Sequence, residues 1–273
     1  MVKNPFFVLL CLFINFSLIA HEAGAQYKVK KYDLYLLIGQ SNMAGRGQVG
    51  AQDTVVHPRV FALGKNNQWV PAKDPIHFDK KVAGVGLGRT FGIEMANNDP
   101  NAVIGLIPCA VGGSPIDAWN PGVFYSPTKS YPWDDMVKRL HAALKEGELK
   151  GVLWHQGESD SNPEKCNDYK IKLESLIKRA RDEAGNEKIP FIAGELGKFY
   201  IKKNKKEYKG LKPCPAQVVV KSTKQVAQQT EAVGFIFSNG LTGQGDETHF
   251  NAASYRSLGV RYANEMIRIQ NKF

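Results

Sequence analysis

Cysteine is scarce in this chain of 273 residues, with four in all: Cys11, Cys109, Cys166 and Cys214. They form no CxxC pair and stand at no metal-ligand spacing from a histidine, so the sequence offers no metal site. A Cys166–Cys214 disulfide would suit an oxidising compartment, and spacing alone does not decide it. Acidic residues are also in the minority, 26 against 36 Lys and Arg, giving a formal charge of +10. Much of the basic excess lies in Lys202-Lys203, Lys205-Lys206, Lys209 and Lys212. Such a cluster could draw nucleic acid, anionic membranes or acidic polysaccharide. No nucleic-acid-binding motif accompanies it, so a solvated basic loop is expected and nucleic acid is excluded as a partner. Internal repeats are missing too. No long apolar run follows the first twenty residues, which argues against a membrane span in the mature chain.

The one long apolar run, Phe6–Ala20, follows Lys3 and precedes Ala23-Gly24-Ala25. A short basic start, an apolar stretch and small residues for cleavage read as an export signal. Cleavage after Ala25 leaves Gln26–Phe273 as a single α/β domain, exported to the periplasm or the exterior.

Five apolar, β-branched-rich segments recur: Tyr32–Ile38, Ala102–Ile107, Gly151–His155, Pro190–Gly194 and Val233–Phe237. Helical patterns fall between or after them, at Leu87–Asn97, Met136–Lys145, Tyr169–Ala184, more weakly Ser222–Thr230, and Ala252–Ile269. Alternation of this kind predicts a five-stranded, mainly parallel sheet covered on both faces. Ligands of such sheets bind beyond the carboxyl ends of the strands. Polar clusters stand there: Gly39–Met43, Cys109–Ser114 and His155–Asp160, with Asp246–His249 a short loop after the fifth strand.

Ser41 is the candidate nucleophile. A serine hydroxyl attacks only when a base removes its proton, and an imidazole oriented by a carboxylate is the usual base. Asp246 and His249, three residues apart on one loop, supply both. The flanking Gly-x-Ser-x-Met lacks the second glycine of the α/β-hydrolase elbow, which points to another hydrolase fold. Acyl transfer also needs donors for the developing oxyanion. The Ser41 N–H, the N–H groups of Gly112-Gly113 and the Gln156 side chain are candidates. Gly113, Trp119 and Glu158 are candidates for contact with substrate. Trp119 belongs to an aromatic loop with Phe124, Tyr125, Tyr131 and Trp133, and aromatic faces suit sugar rings. Glu158 and Asp160 are expected to hold the Gln156 loop through hydrogen bonds.

Gly39-Gln40-Ser41-Asn42-Met43, Gly112-Gly113-Ser114, Trp154-His155-Gln156-Gly157-Glu158-Ser159-Asp160 and Asp246-x-x-His249 together resemble the motifs of the SGNH-hydrolase superfamily. The branch they are most similar to is the sialate O-acetylesterase-like group, which includes the acetylxylan esterases of carbohydrate esterase family 6. The resemblance spans essentially Lys31–Phe273. It implies a three-layer α/β/α sandwich, a Ser41–His249–Asp246 triad, and Ser41, Gly112 and Gln156 as oxyanion donors. Gln156 stands where the wider superfamily usually has Asn. The implied activity is cofactor-free hydrolysis of acetyl esters on a carbohydrate. A general short-chain or lipid esterase and a non-catalytic carbohydrate-binding protein are the alternatives.

Overall fold

Tyr32–Gly39 forms β1, the central strand of the sheet, and its residues divide by parity between two apolar layers. Leu34, Leu36 and Ile38 enter one core while Tyr35 and Leu37 enter the other, as the two-residue period of a strand requires. A strand buried on both faces reads as a continuous apolar run, which is why this segment stands out in the sequence. The computed structural model describes residues 32–272. The expected export signal lies outside the described residues.

The remaining strands are β2 (Val60–Leu63), β3 (Trp69–Pro71), β4 (Ile104–Pro108), β5 (Gly147–His155), β6 (Phe191–Gly194) and β7 (Val233–Ile236). The sheet has seven strands rather than the expected five, in the order β3-β2-β4-β1-β5-β6-β7. All neighbours pair in parallel except β2 and β3, which are antiparallel. The two extra strands are four and three residues long and sit at one edge.

The helices are α1 (Ser41–Ala44), α2 (Gly88–Asn98), α3 (Pro132–Ala143), α4 (Tyr169–Ala184), α5 (Lys198–Glu207), α6 (Pro215–Gln229) and α7 (Ala252–Gln270). Apolar residues of α3, α4 and α6 pack on the Leu34/Leu36/Ile38 face, and those of α2 and α7 on the Tyr35/Leu37 face. This is the three-layer α/β/α sandwich. The lysine-rich stretch expected as a loop is largely α5, which sets Asn204 in the interior and keeps Lys202, Lys205 and Lys206 in solvent. Among the described residues the cysteines are free: Cys166 and Cys214 share one core without a disulfide, and Cys109 is half-buried.

Two glycines shape the carboxyl edge. Gly39 has φ +131°, and a Cβ there would run into the His155 carbonyl of the neighbouring strand. Gly157 has φ +144°, where a Cβ would meet Val219. Both positions turn the chain sharply out of the sheet and suit glycine alone. They launch the two loops that carry Ser41 and Glu158.

Candidate active site

Ser41 opens α1 directly beyond β1, and its side chain is nearly enclosed. The turn into α1 is held by the Met43 and Ala44 N–H groups donating to the Gln40 carbonyl, each at 3.0 Å. The loop from Gly243 to Phe250 approaches from beyond β7. There the His249 Nε2 lies 2.9 Å from Ser41 Oγ, and His249 Nδ1 lies 2.6 Å from Asp246 Oδ2. A carboxylate only accepts, so Nδ1 carries the proton and Nε2 is left to accept from the serine hydroxyl. Asp246 Oδ1 also accepts the N–H groups of Thr248 (2.9 Å) and His249 (2.7 Å), which folds the loop around its carboxylate. Glu247 between them takes a left-handed φ of +56°. Burial pushes the Asp246 carboxyl up. The hydrogen bonds from Gln244, from the His249 N–H and ring and from the Thr248 N–H outweigh it and hold the group well below the usual carboxylate range. Asn251, not Asp246, caps α7, accepting from the Ser254 N–H at 2.9 Å.

Asn42 ties these pieces together. Its Nδ2 donates to Glu158 and, at 3.0 Å, to the Thr248 carbonyl; its Oδ1 accepts from the Tyr255 hydroxyl at 2.6 Å and the Phe250 N–H at 3.3 Å. One fully buried amide therefore links the nucleophile helix, the Gln156 loop, the His249 loop and α7. Sequence reasoning missed it. The available signal was its place beside Ser41, which reads equally well as a helix cap.

The candidate oxyanion donors are placed unequally. The Gly112 N–H donates to Asp79 Oδ2 at 2.9 Å, and that carboxylate also pairs with Arg46 at 2.6 Å. Gln156 Nε2 is surrounded by three acceptors: Gln40 Oε1 (3.1 Å), the Ser114 carbonyl (3.1 Å) and Asp160 Oδ2 (2.5 Å). Its Oε1 accepts from the Tyr169 hydroxyl at 2.9 Å. An amide has two N–H protons, so Gln156 has none left to offer a substrate. The Ser41 and Gly113 N–H groups have no acceptor among the described residues.

Residues 31–268 match the family model described as carbohydrate esterase, sialic acid-specific acetylesterase. The chain belongs to that family. It is an ester hydrolase, and its fold is that of the SGNH hydrolases. A probable carbohydrate esterase of Arabidopsis thaliana is 34% identical over 210 residues, spanning 68% of this chain and 78% of the relative. A solved structure from the same plant superposes with a TM-score of 0.74 at 27% identity, over 87% of this chain and 98% of that one. The structure of NanS superposes at 0.71 with 16% identity, over 89% and 99% of the two chains.

Within this esterase, two of the residues expected to contact substrate face inward. Trp119 is fully buried, edge-to-face with Trp154 at 5.6 Å, and its Nε1 donates to Ser114 Oγ at 3.0 Å. It packs the Gly112–Ser114 loop onto the domain and cannot meet a sugar face. Glu158 is buried on Asn42, and burial pushes its carboxyl from 4.5 up to about 7, a rise that the Asn42 hydrogen bond partly offsets. Gly113 remains at the surface of the site, where a Cβ would lie 3.1 Å from the Tyr125 hydroxyl. Of the aromatic loop, Phe124 and Tyr131 are the exposed members, 5.2 Å apart. Helix α5 also contributes: the Tyr200 hydroxyl donates to the Glu158 carbonyl at 2.8 Å, and Lys203 Nζ donates to Thr248 Oγ1 at 3.4 Å.

Proposed function

We propose that this esterase is an exported carbohydrate O-acetylesterase acting through Ser41, His249 and Asp246. The observation that carries the reading is the continuous hydrogen-bonded chain Asp246–His249–Ser41, at 2.6 and 2.9 Å, beyond the carboxyl edge of the sheet. His249 Nε2 takes the Ser41 proton as Oγ attacks the acetyl carbonyl. The oxyanion is received by the N–H groups of Ser41 and Gly113, the two left without acceptors. Collapse of the tetrahedral adduct breaks the bond to the sugar oxygen, which leaves with the proton held on His249. Water then attacks the acetyl-enzyme, with His249 again as base, and acetate departs. Asp246 keeps the imidazole in the tautomer that both steps need.

A carbohydrate leaving group is supported by the family and by the exposed Phe124 and Tyr131 rings of the loop whose Tyr125 hydroxyl stands at Gly113, which offer apolar faces to sugar C–H groups. Export, with residues 1–25 as the leader, rests on the sequence pattern. Acetylated xylan and acetylated sialic acid are the two substrate classes to compare.

Acetate release across a panel of acetylated glycans tests the reading, with the mature chain and its Ser41→Ala variant side by side. The variant should lose at least roughly a thousandfold in kcat while melting like the parent, since triad members act as a unit. Near-parental acetate release by Ser41→Ala would remove the nucleophile from the scheme. A parent that cleaves short lipid esters and no acetylated sugar would move the enzyme to another substrate class.

A further inference from the structure

A second feature of the carboxyl edge is not used by the chemistry at Ser41. A cleft of about 550 Å³ opens over the ends of β2 and β4, against the first turns of α3. That volume lies within the range of small-ligand sites. Lys65, Lys129, Lys138 and Arg139 line it, against two carboxylates, Asp79 and Asp135. Asp79 is already neutralised by the buried Arg46 guanidinium. Asp135 accepts the Tyr131 N–H at 3.0 Å and lies 3.8 Å from Lys138. Lys65, Lys129 and Arg139 have no carboxylate partner among the described residues. The cleft therefore carries an excess of positive charge that the protein does not compensate.

Part of this charge is rigidly placed. Arg139 donates to the carbonyls of Leu63 (2.7 Å) and Gly64 (3.0 Å) and to Asn67 Oδ1 (3.0 Å), with Phe78 stacked under its guanidinium. Neutral acceptors hold the group without cancelling it. Lys129 sits in a tight Tyr125–Ser130 turn with φ +51°, a conformation that costs a lysine about 1 kcal/mol and persists only where the surroundings impose it. His77, buried in the wall, leaves its Nε2 with no partner among the described residues. Burial lowers the pKa of that ring to about 3 and holds it neutral, so it adds nothing to the positive charge of the cleft.

The cleft borders the loop that carries Gly113: a Cβ there would lie 3.1 Å from the Tyr125 hydroxyl, and the Tyr125–Ser130 turn supplies residues to the cleft lining. Val111 in its wall donates from its N–H to the Gly39 carbonyl at 2.9 Å, two residues before Ser41. At 3.8 Å per residue, the Cα atoms of Val111 and Ser41 are at most about 15 Å apart along this path. An oligosaccharide, rather than a single sugar, is long enough to span that distance.

We propose that this cleft is an accessory glycan subsite that recognises a carboxylate on the acetylated substrate, held by Lys129, Lys138 and the fixed Arg139. The proposal rests on the carbohydrate acetylesterase reading and adds to it a specificity for acidic glycans. The carboxylate belongs to a uronic acid next to the acetylated sugar, and matched substrates separate it from a carboxylate on the acetylated sugar itself.

The test compares kcat/KM for acetate release from three substrates: an acetylated xylo-oligosaccharide bearing a glucuronate, its neutral counterpart with the carboxyl reduced, and an acetylated sialic acid. Charge-assisted contacts at a partly enclosed site predict roughly tenfold preference for an acidic substrate, expressed in KM, shrinking as salt rises. In a Lys129→Gln/Lys138→Gln variant that ratio should fall towards one. Calorimetric binding of the deacetylated acidic oligosaccharide to Ser41→Ala protein should weaken in parallel when the two lysines are replaced. Preference for the glucuronate substrate over its neutral counterpart supports the subsite, and preference for the acetylated sialic acid alone overturns it, because that carboxylate lies on the acetylated sugar. Equal kcat/KM on acidic and neutral substrates, or a preference that survives both lysine replacements, overturns the subsite while leaving the esterase reading intact. Failure of the parent on every acetyl ester would instead strike the underlying reading.

Discussion

Replacing Glu158 with glutamine isolates the energetic consequence of burying a carboxyl beside the active site. Glu158 begins the short turn after β5, accepts from Asn42 on one oxygen, and has no partner among the described residues on the other. Burial raises its pKa from 4.5 to about 7, against the lowering effect of the Asn42 hydrogen bond. The folded value lies above the unfolded one, so this carboxyl's contribution to stability is complete below about pH 4.5. It is lost as pH rises through 7. At about 1.4 kcal/mol per pH unit, the interval between 4.5 and about 7 corresponds to about 3 kcal/mol, most of it between pH 5 and pH 8. Glu158→Gln keeps an acceptor for Asn42 and has nothing to ionise. Urea unfolding of both proteins at pH 5 and pH 8 should show the variant gaining about 2–3 kcal/mol on the parent between those two conditions. Asp74, likewise raised to about 7, titrates in both proteins and cancels from the difference. Parallel pH dependence in the two proteins would refute a buried, high-pKa Glu158.

Asn42→Ala should cost about 3–5 kcal/mol in urea unfolding, because it strands Glu158, the Phe250 N–H and the Tyr255 hydroxyl in the interior; it should also lower kcat by loosening the His249 loop, and unchanged stability would contradict the four-way tether. Gln156→Ala should lower both kcat and melting temperature, since its amide braces the Ser114 carbonyl and Asp160; a kcat loss with no change in stability would show that Gln156 donates to the oxyanion directly. A triple replacement of the exposed Lys202, Lys205 and Lys206 by glutamine should leave stability within about 0.5 kcal/mol and hydrolysis of a small neutral acetyl ester unaltered. Loss on the neutral ester would give these side chains a part in shaping the site.

The elements legible in the sequence are those whose burial imposes a long, unambiguous pattern. β1 is enclosed on both faces and reads as apolar without interruption, and Tyr169–Ala184 repeats its apolar residues for four turns with a left-handed Gly185 to stop it. The polar clusters at the strand ends were legible for a related reason: Gly39 and Gly157 mark the two places where the chain must leave the sheet with positive φ. β2 and β3 were not: β3 pairs on one side only and leaves Val70 and Pro71 exposed, and β2, between β3 and β4, spans only Val60–Leu63. Helix α5 was hidden by its lysines, although Phe199 meets Phe250, the Tyr200 hydroxyl meets the Glu158 carbonyl and Asn204 is buried.

Donor and substrate roles were the least legible because they depend on hydrogen bonds between segments with no fixed spacing. Gly112 and Gly113 are equivalent as letters. Only the arrival of Asp79, 33 residues earlier in the chain, engages one N–H and leaves the other free. Gln156 likewise has an amide suited to an oxyanion, and Gln40, Ser114 and Asp160 converge on it from three segments. Trp119 follows the glycines closely in sequence, yet Trp154 and Ser114 draw its ring into the core. A residue's chemistry therefore identifies what it could do at this site, while the neighbours that already hold its donors and acceptors determine what it has left to offer a substrate.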